Sequence, residues 1–183
     1  MSDRNPLSSE EGMQLVSLLN RATWPLPPAI FDATLGIIPT VAFELVVISQ
    51  VNAGRGHTEP RVLLLPRPEN DPFFKGMVHS PGTVMRLGDT VESALKRVMS
   101  QEVDDSVGLA WFVGVTHVPK GPLPDGCPRG QEVGLVYFAR WKGGALPKGA
   151  MWGDPNNLPS NIIGYHRPII AMAMKRYEEI AQN

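Results

Sequence analysis

Three places in this sequence carry side chains whose types invite a chemical reading. The first is Cys127, the single cysteine, and the only side chain here that offers a thiolate nucleophile. It lies in Gly121-Pro122-Leu123-Pro124-Asp125-Gly126-Cys127-Pro128-Arg129-Gly130, a turn-forming stretch that predicts a free, exposed thiol rather than a reactive one. The second is His79, a residue type suited to proton transfer or metal binding. No second His or Cys stands at ligand spacing, which predicts a structural or solvent-facing role. The third is the stretch from Pro81 to Glu102. Here a Pro-Gly turn and a loop lead into one helix, with Arg97 and Glu102 placed near its end. The same two residues on a solvated face with one loose ion pair would do nothing chemical.

The elements needed to hold that stretch can be read from spacing. Asp89 is placed to cap the helix, with Glu92 reaching back three residues later. Val91, Ala94, Leu95, Val98 and Met99 then fall on one face, which predicts a helix lying on a core. Before it, Val41 to Ile48 and Arg61 to Arg67 read as strands joined by the glycine-containing loop Asn52 to Pro60, so an antiparallel pair is expected. After it, Val107 to Val118 and Val133 to Trp141 read as two more strands with a Pro/Gly loop between them. Gly143 to Pro159 reads as loop. A last helix is expected to begin between Tyr165 and Pro168 and to bury Ile169, Ile170, Ala173, Met174 and Tyr177. At the N-terminus, Glu10 to Asn20 predicts a short helix capped by Ser8 or Ser9, followed by a proline-broken connector from Trp24 to Pro28. Strands with interspersed helices predict an α+β fold, an α/β/α sandwich with a mixed sheet. The 183 residues predict a single domain over 1–183, with 1–40 as an N-terminal extension and 41–183 as its core.

Composition narrows the partners. Lys and Arg number 17 against 18 for Asp and Glu, a net charge of -1. No global field draws such a chain to a nucleic-acid duplex or an anionic membrane, so any phosphate ligand must be bound locally. No apolar run approaches the roughly 20 residues that span a bilayer. A polar N-terminus and a lone cysteine lead us to expect a cytoplasmic protein. A homodimer, with the N-terminal helix used in its contacts, is one expectation for assembly.

The order of elements and the residues from Pro81 to Glu102 resemble the Nudix hydrolase superfamily, whose signature is G-x5-E-x7-R-E-U-x-E-E-x-G-U with U apolar. On that pattern Thr83 stands at the first Gly, Asp89 at the first Glu and Arg97 at the Arg. Val98 stands where the next Glu belongs, Gln101 and Glu102 at the later pair, and Asp104 at the second Gly, with Asp105 after it. The box is thus degenerate. The resemblance implies the Nudix sandwich and hydrolysis of a diphosphate linked to a nucleoside or another group, with Mg²⁺ or Mn²⁺ held by carboxylates of the helix. Clustered carboxylates holding such an ion neutralise phosphate charge and activate water. It further implies that Glu102 and Arg97 are the catalytic pair, Arg97 orienting the carboxylate. Asp89, Asp104, Asp105 and Glu132 join Glu102 as the candidate metal ligands. With Val98 and Gln101 in place of two glutamates, weak or no activity is expected. The alternative is a catalytically silent Nudix-like module that binds a ligand or a protein. Substrate-binding residues are expected in loops such as Asn52 to Pro60 and Lys120 to Gly130.

Overall fold

The computed structural model describes residues 6–23, 25–54, 57–103 and 106–181. In chain order the elements are α1 (Ser9–Leu19), α2 (Pro28–Leu35), β1 (Thr40–Gly54), β2 (His57–Pro66), β3 (Val78–His79), β4 (Gly82–Val84), α3 (Val91–Glu102), β5 (Val107–Val118), β6 (Glu132–Trp141), β7 (Met151–Gly153) and α4 (His166–Ala181). The strands run in the order β3-β2-β1-β6-β5, with β4 also paired to β1 and β7 to β2. The sheet is mixed. β1 runs antiparallel to β2 and parallel to β6, from Thr40 opposite Glu132 to Ile48 opposite Arg140.

Alternation along β1 divides the core in two. Phe43, Leu45 and Val47 face one side and pack with Leu63, Ala94, Val98 and Ala139, which places α3 there. Val46 and Ile48 face the other and pack with Val62, Phe138, Ile169, Ile170 and Ala173, which places α4 there. Side chains two apart on a strand share a face, so Glu44 points with Val46 into the α4 layer. The architecture is therefore the expected α+β fold, an α/β/α sandwich with a mixed sheet. Among the described residues no helix is long and apolar enough to cross a membrane.

Several elements differ from their sequence expectations. The segment Asn52 to Pro60 is largely hairpin arm rather than loop, since Gln50, Val51 and Asn52 pair with Pro60, Glu59 and Thr58. α2 was hidden by its prolines, but Pro28 sits at the first helical position, where no intrahelical donor is lost. β7 interrupts the expected loop from Gly143 to Pro159. α3 is capped by Thr90, whose hydroxyl accepts from the Ser93 amide while Ser93 reaches back to the Thr90 amide, so the expected Asp89–Glu92 arrangement is replaced. α1 has its Ser8–Glu11 capping box but buries none of its residues. α2 is better anchored: Lys120 Nζ donates to the Gly36 carbonyl at 3.0 Å, and a side chain at Gly130 would collide with the Leu35 carbonyl.

Candidate functional site

The loop before α3 is shaped by Asp89. Its carboxylate accepts from the Arg86 amide at 2.7 Å and from Arg97 Nη1 at 2.7 Å, while Arg97 Nη2 donates to the Val84 carbonyl at 2.9 Å. The Arg97 bond above all, then the Arg86 amide, holds the Asp89 carboxyl down at about 2. Gly88, at φ 85°, supplies the left-handed turn just before it. Asp89 and Arg97 thus spend themselves on each other and on the loop. Glu102 receives no bond from Arg97; its Oε2 accepts from the Gly82 amide at 2.9 Å.

Gly82 is the point where three elements meet. A Cβ there would stand 3.1 Å from Glu44 Oε2 and 3.1 Å from the Phe43 carbonyl, so a side chain would press on both and glycine eases the close approach of β4 to β1. Beside it opens a cleft of about 530 Å³, within the roughly 300–1,000 Å³ usual for small-molecule sites. Its walls include Phe31 of α2, Glu44 of β1, Arg67 after β2, Asp71, His79 of β3, Arg129, Glu132 of β6, and Tyr165 and His166 at the start of α4. The Pro25 to Asp32 region forms part of the rim, so the N-terminal extension contributes to the site.

Electrostatically the cleft has two parts. In one, Asp71 accepts from Arg67 Nε at 2.9 Å, from Arg67 Nη2, from Arg129 Nη2 at 3.1 Å, and from the Phe73 and Phe74 amides. Burial pushes its carboxyl up, but the Phe73 amide and the two guanidinium groups outweigh burial and hold it below its usual range. Elsewhere in and beside the cleft Glu44, Glu102 and Glu132 are all raised; Glu44 and Glu132 line it, and Glu102 lies behind the Gly82 amide. For Glu44 burial is the largest cause, followed by Glu132 and Glu102. Burial also dominates at Glu102 and Glu132, with Arg67 opposing it at both. Glu44 Oε2 is buried and has no hydrogen-bond partner.

Ser80, His166 and Glu44 form a buried contact chain that superficially suggests a nucleophile. Ser80 Oγ lies 2.8 Å from His166 Nδ1, and Glu44 Oε2 lies 3.6 Å from the same nitrogen. An activated serine needs hydroxyl and carboxylate on opposite ring nitrogens and an exposed Oγ, whereas Ser80 is fully buried. The chain positions groups. Burial, with His79 and Arg67 nearby, holds His166 neutral, and burial lowers His79 to about 4. His79 is buried 5.7 Å from the His166 ring rather than solvent-facing. Cys127 is buried as well, not exposed, because its loop folds back on Pro119 and Lys120; burial pushes its thiol up.

The metal cage implied by the signature can be tested against these side chains. Val98 lies on the same stripe of α3 as Glu102, one turn earlier, but is 1% exposed inside the α3 core and offers no donor atom. Gln101 is exposed. Asp89 is committed to Arg97. Asp104 and Asp105 lie outside the described residues. Among the described residues no three His, Cys, Asp or Glu side chains converge as a metal-binding group. The donor set as described does not fit the signature's cage, although Glu132 and Glu44 line the cleft and Glu102 is bonded to the Gly82 amide beside it.

Sequence reasoning missed Glu44, Arg67, Asp71, Arg129 and His166 as site residues. One signal for Glu44 was present, a carboxylate inside the otherwise apolar run Val41 to Ile48 on the parity that faces a core.

Comparison with known proteins bears on this arrangement. No model of a known protein family matches the chain. It is 34% identical over 104 residues to an ADP-ribose pyrophosphatase of Methanocaldococcus jannaschii, a match covering 54% of this chain and 57% of that protein. Among solved structures, a mutT/nudix family protein from Listeria innocua superposes with a TM-score of 0.62 at 15% identity, over 80% of this chain and 99% of that one. The Nudix domain of Shewanella oneidensis NrtR, in complex with ADP-ribose, superposes with a TM-score of 0.56 at 16% identity, over 83% and 99%. With the loop and helix from Pro81 to Glu102 placed against a mixed sheet between two helical layers, this chain is a Nudix-fold protein.

Proposed function

We propose that the cleft binds a nucleoside-diphosphate-linked ligand of the ADP-ribose type, and that the chain is primarily a binding module rather than an efficient hydrolase. The observation that carries the reading is the cleft's make-up: two guanidinium groups fixed on one carboxylate share, with buried Glu44 and Glu132, the lining of a volume suited to a small molecule. The 34% identical relative is an ADP-ribose pyrophosphatase and a structurally similar Nudix domain is bound to ADP-ribose, which supports that ligand class. Val98 supports the weak-activity half of the reading, since loss of one catalytic group typically lowers rate by about 10² to 10⁴. A net charge of -1 favours a small ligand over a nucleic-acid duplex.

A second reading, hydrolysis with Mg²⁺ or Mn²⁺, is favoured by one observation. Glu102 survives from the signature and stands with Glu44 and Glu132 close enough for each to raise the Glu44 carboxyl. In this reading Glu102 and Glu132 would hold the ion, which supplies charge neutralisation at the diphosphate. Calorimetric titration with ADP-ribose, paired with a turnover assay in Mg²⁺ and Mn²⁺, separates the two. The expected result is binding without appreciable turnover. Turnover abolished by Glu102→Gln would establish the second reading instead.

A further inference from the structure

We propose that Arg67 and Arg129, fixed on Asp71 beside Phe74, form a clamp that binds the ligand's diphosphate without a divalent metal; this rests on the reading of the cleft as a nucleotide-diphosphate site. A diphosphate entering a cleft needs positive charge at a defined place. In the signature that charge is a metal ion held by α3, whereas α3 here keeps Glu102 on the Gly82 amide and Val98 sealed in the core. Positive charge is instead built into the cleft lining by Arg67 and Arg129.

Two guanidinium groups share the single carboxylate of Asp71, leaving one positive charge in excess. Neither can be titrated away, because arginine stays protonated throughout the working range. Arg67 spends Nε and Nη2 on Asp71, and Arg129 spends Nη2, so Nη1 of each lies outside those bonds. The two side chains stay 22% and 24% exposed, so part of each fork is open to a ligand, and a phosphate oxygen is a strong acceptor for it.

The pair is also held still. Arg67 Cζ lies 5.6 Å from the Phe74 ring centre, and Arg129 Cζ lies 5.4 Å from Phe74 and 5.5 Å from Phe73. Asp71 in turn is locked by the amides of Phe73 and Phe74 at 3.0 and 3.1 Å. Side chains ordered before the ligand arrives lose little entropy on binding it. Burial raises the carboxyls of Glu44, Glu102 and Glu132, Glu44 most strongly, and so weakens their tendency to carry the charge that would offset the clamp.

The test is calorimetry with two probes, ADP-ribose and inorganic pyrophosphate, each titrated in EDTA and again in Mg²⁺. Wild-type protein should bind both in EDTA, with ADP-ribose affinity little changed by Mg²⁺. Arg129→Met keeps an apolar stem against the phenylalanines and removes the fork, so it should weaken both probes by about 10- to 100-fold, the loss expected for one or two charge-assisted bonds. Arg129→Lys should fall between the two, since it keeps charge without the planar fork. Arg67→Met provides a second arm should Arg129→Met fold poorly, with thermal unfolding of each variant as the check. Binding that appears only with Mg²⁺, or that neither methionine variant weakens, overturns the clamp and leaves the ligand reading standing. No binding of either probe in either condition overturns both.

Discussion

At the scale of single residues, Glu44 shows how a buried carboxyl can be tolerated on a core face. Its strand neighbours on that face, Ala42 and Val46, are apolar, His166 Nδ1 lies 3.6 Å from its Oε2, and its burial strongly favours the neutral form. The folded chain therefore keeps a proton that the unfolded chain releases above 4.5, the ordinary value for this group. More protons bound in the folded than in the unfolded state means that stability falls as pH rises from there toward the folded pKa. Glu44→Gln removes the ionisation while keeping shape. In thermal unfolding the variant should therefore gain on the wild type as pH rises above 4.5 toward the raised folded pKa, the gap widening with pH across that range. A difference that stays constant across that range would show that Glu44 is ionised in the folded protein.

At the scale of elements, α3 is both a core helix and one wall of a site, and the two uses meet at Val98. Restoring the signature there places a carboxylate among Phe43, Leu45, Leu63 and Ala139. Val98→Glu is expected to cost about 3–5 kcal/mol, the size of an uncompensated buried charge, whereas exposed Gln101→Glu should stay within about 0.5 kcal/mol. Denaturant unfolding of the two single variants measures this directly, and equal effects would mean that position 98 opens to the cleft. The loop ahead of α3 depends on Arg97 in a different way. Arg97→Ala removes the donor to both Asp89 and the Val84 carbonyl. Amide hydrogen exchange at Arg86 and Asp89 should then quicken while the β1–β6 ladder stays protected.

These elements were unequally legible beforehand. α4 announces itself because a long period-3.6 run buries one face, whereas β5 is legible as a strand but not in its facing: Trp111 and Val113 pack on the core while Leu109 and Val115 are exposed, because the register shifts twice along it. β3, β4 and β7 have only two or three residues each, too few for any period to register. The Asp89–Arg97 link runs from the residue before the Thr90 cap to two turns into α3, a separation of eight that the i,i+3 and i,i+4 pairings do not reach. The site was least legible of all. Glu44, Arg67 with Asp71, Arg129 and His166 come from four separate segments and meet only once the sheet order is set. Val98 and Gln101 could be read as departures from the signature, but only the fold shows that one is sealed in a core and the other faces solvent.

At the scale of the molecule, the N-terminal region divides in two. α2 helps wall the cleft, whereas α1 leaves Met13, Val16 and Leu18 exposed and buries nothing. Deleting residues 1–23 should therefore shift the thermal midpoint by no more than a few degrees, a surface-scale effect of about 1 kcal/mol or less. A large loss on scanning calorimetry would show that α1 is held by contacts the fold does not display. The central claim is that the cleft beside Gly82 is the ligand site. Its most direct test is an amide ¹H–¹⁵N spectrum recorded during titration with ADP-ribose. The account predicts shifts concentrated at Ser80, Gly82, Phe74, Gly130 and His166, with α1 unmoved; saturable shifts elsewhere, with those amides unchanged, would contradict it.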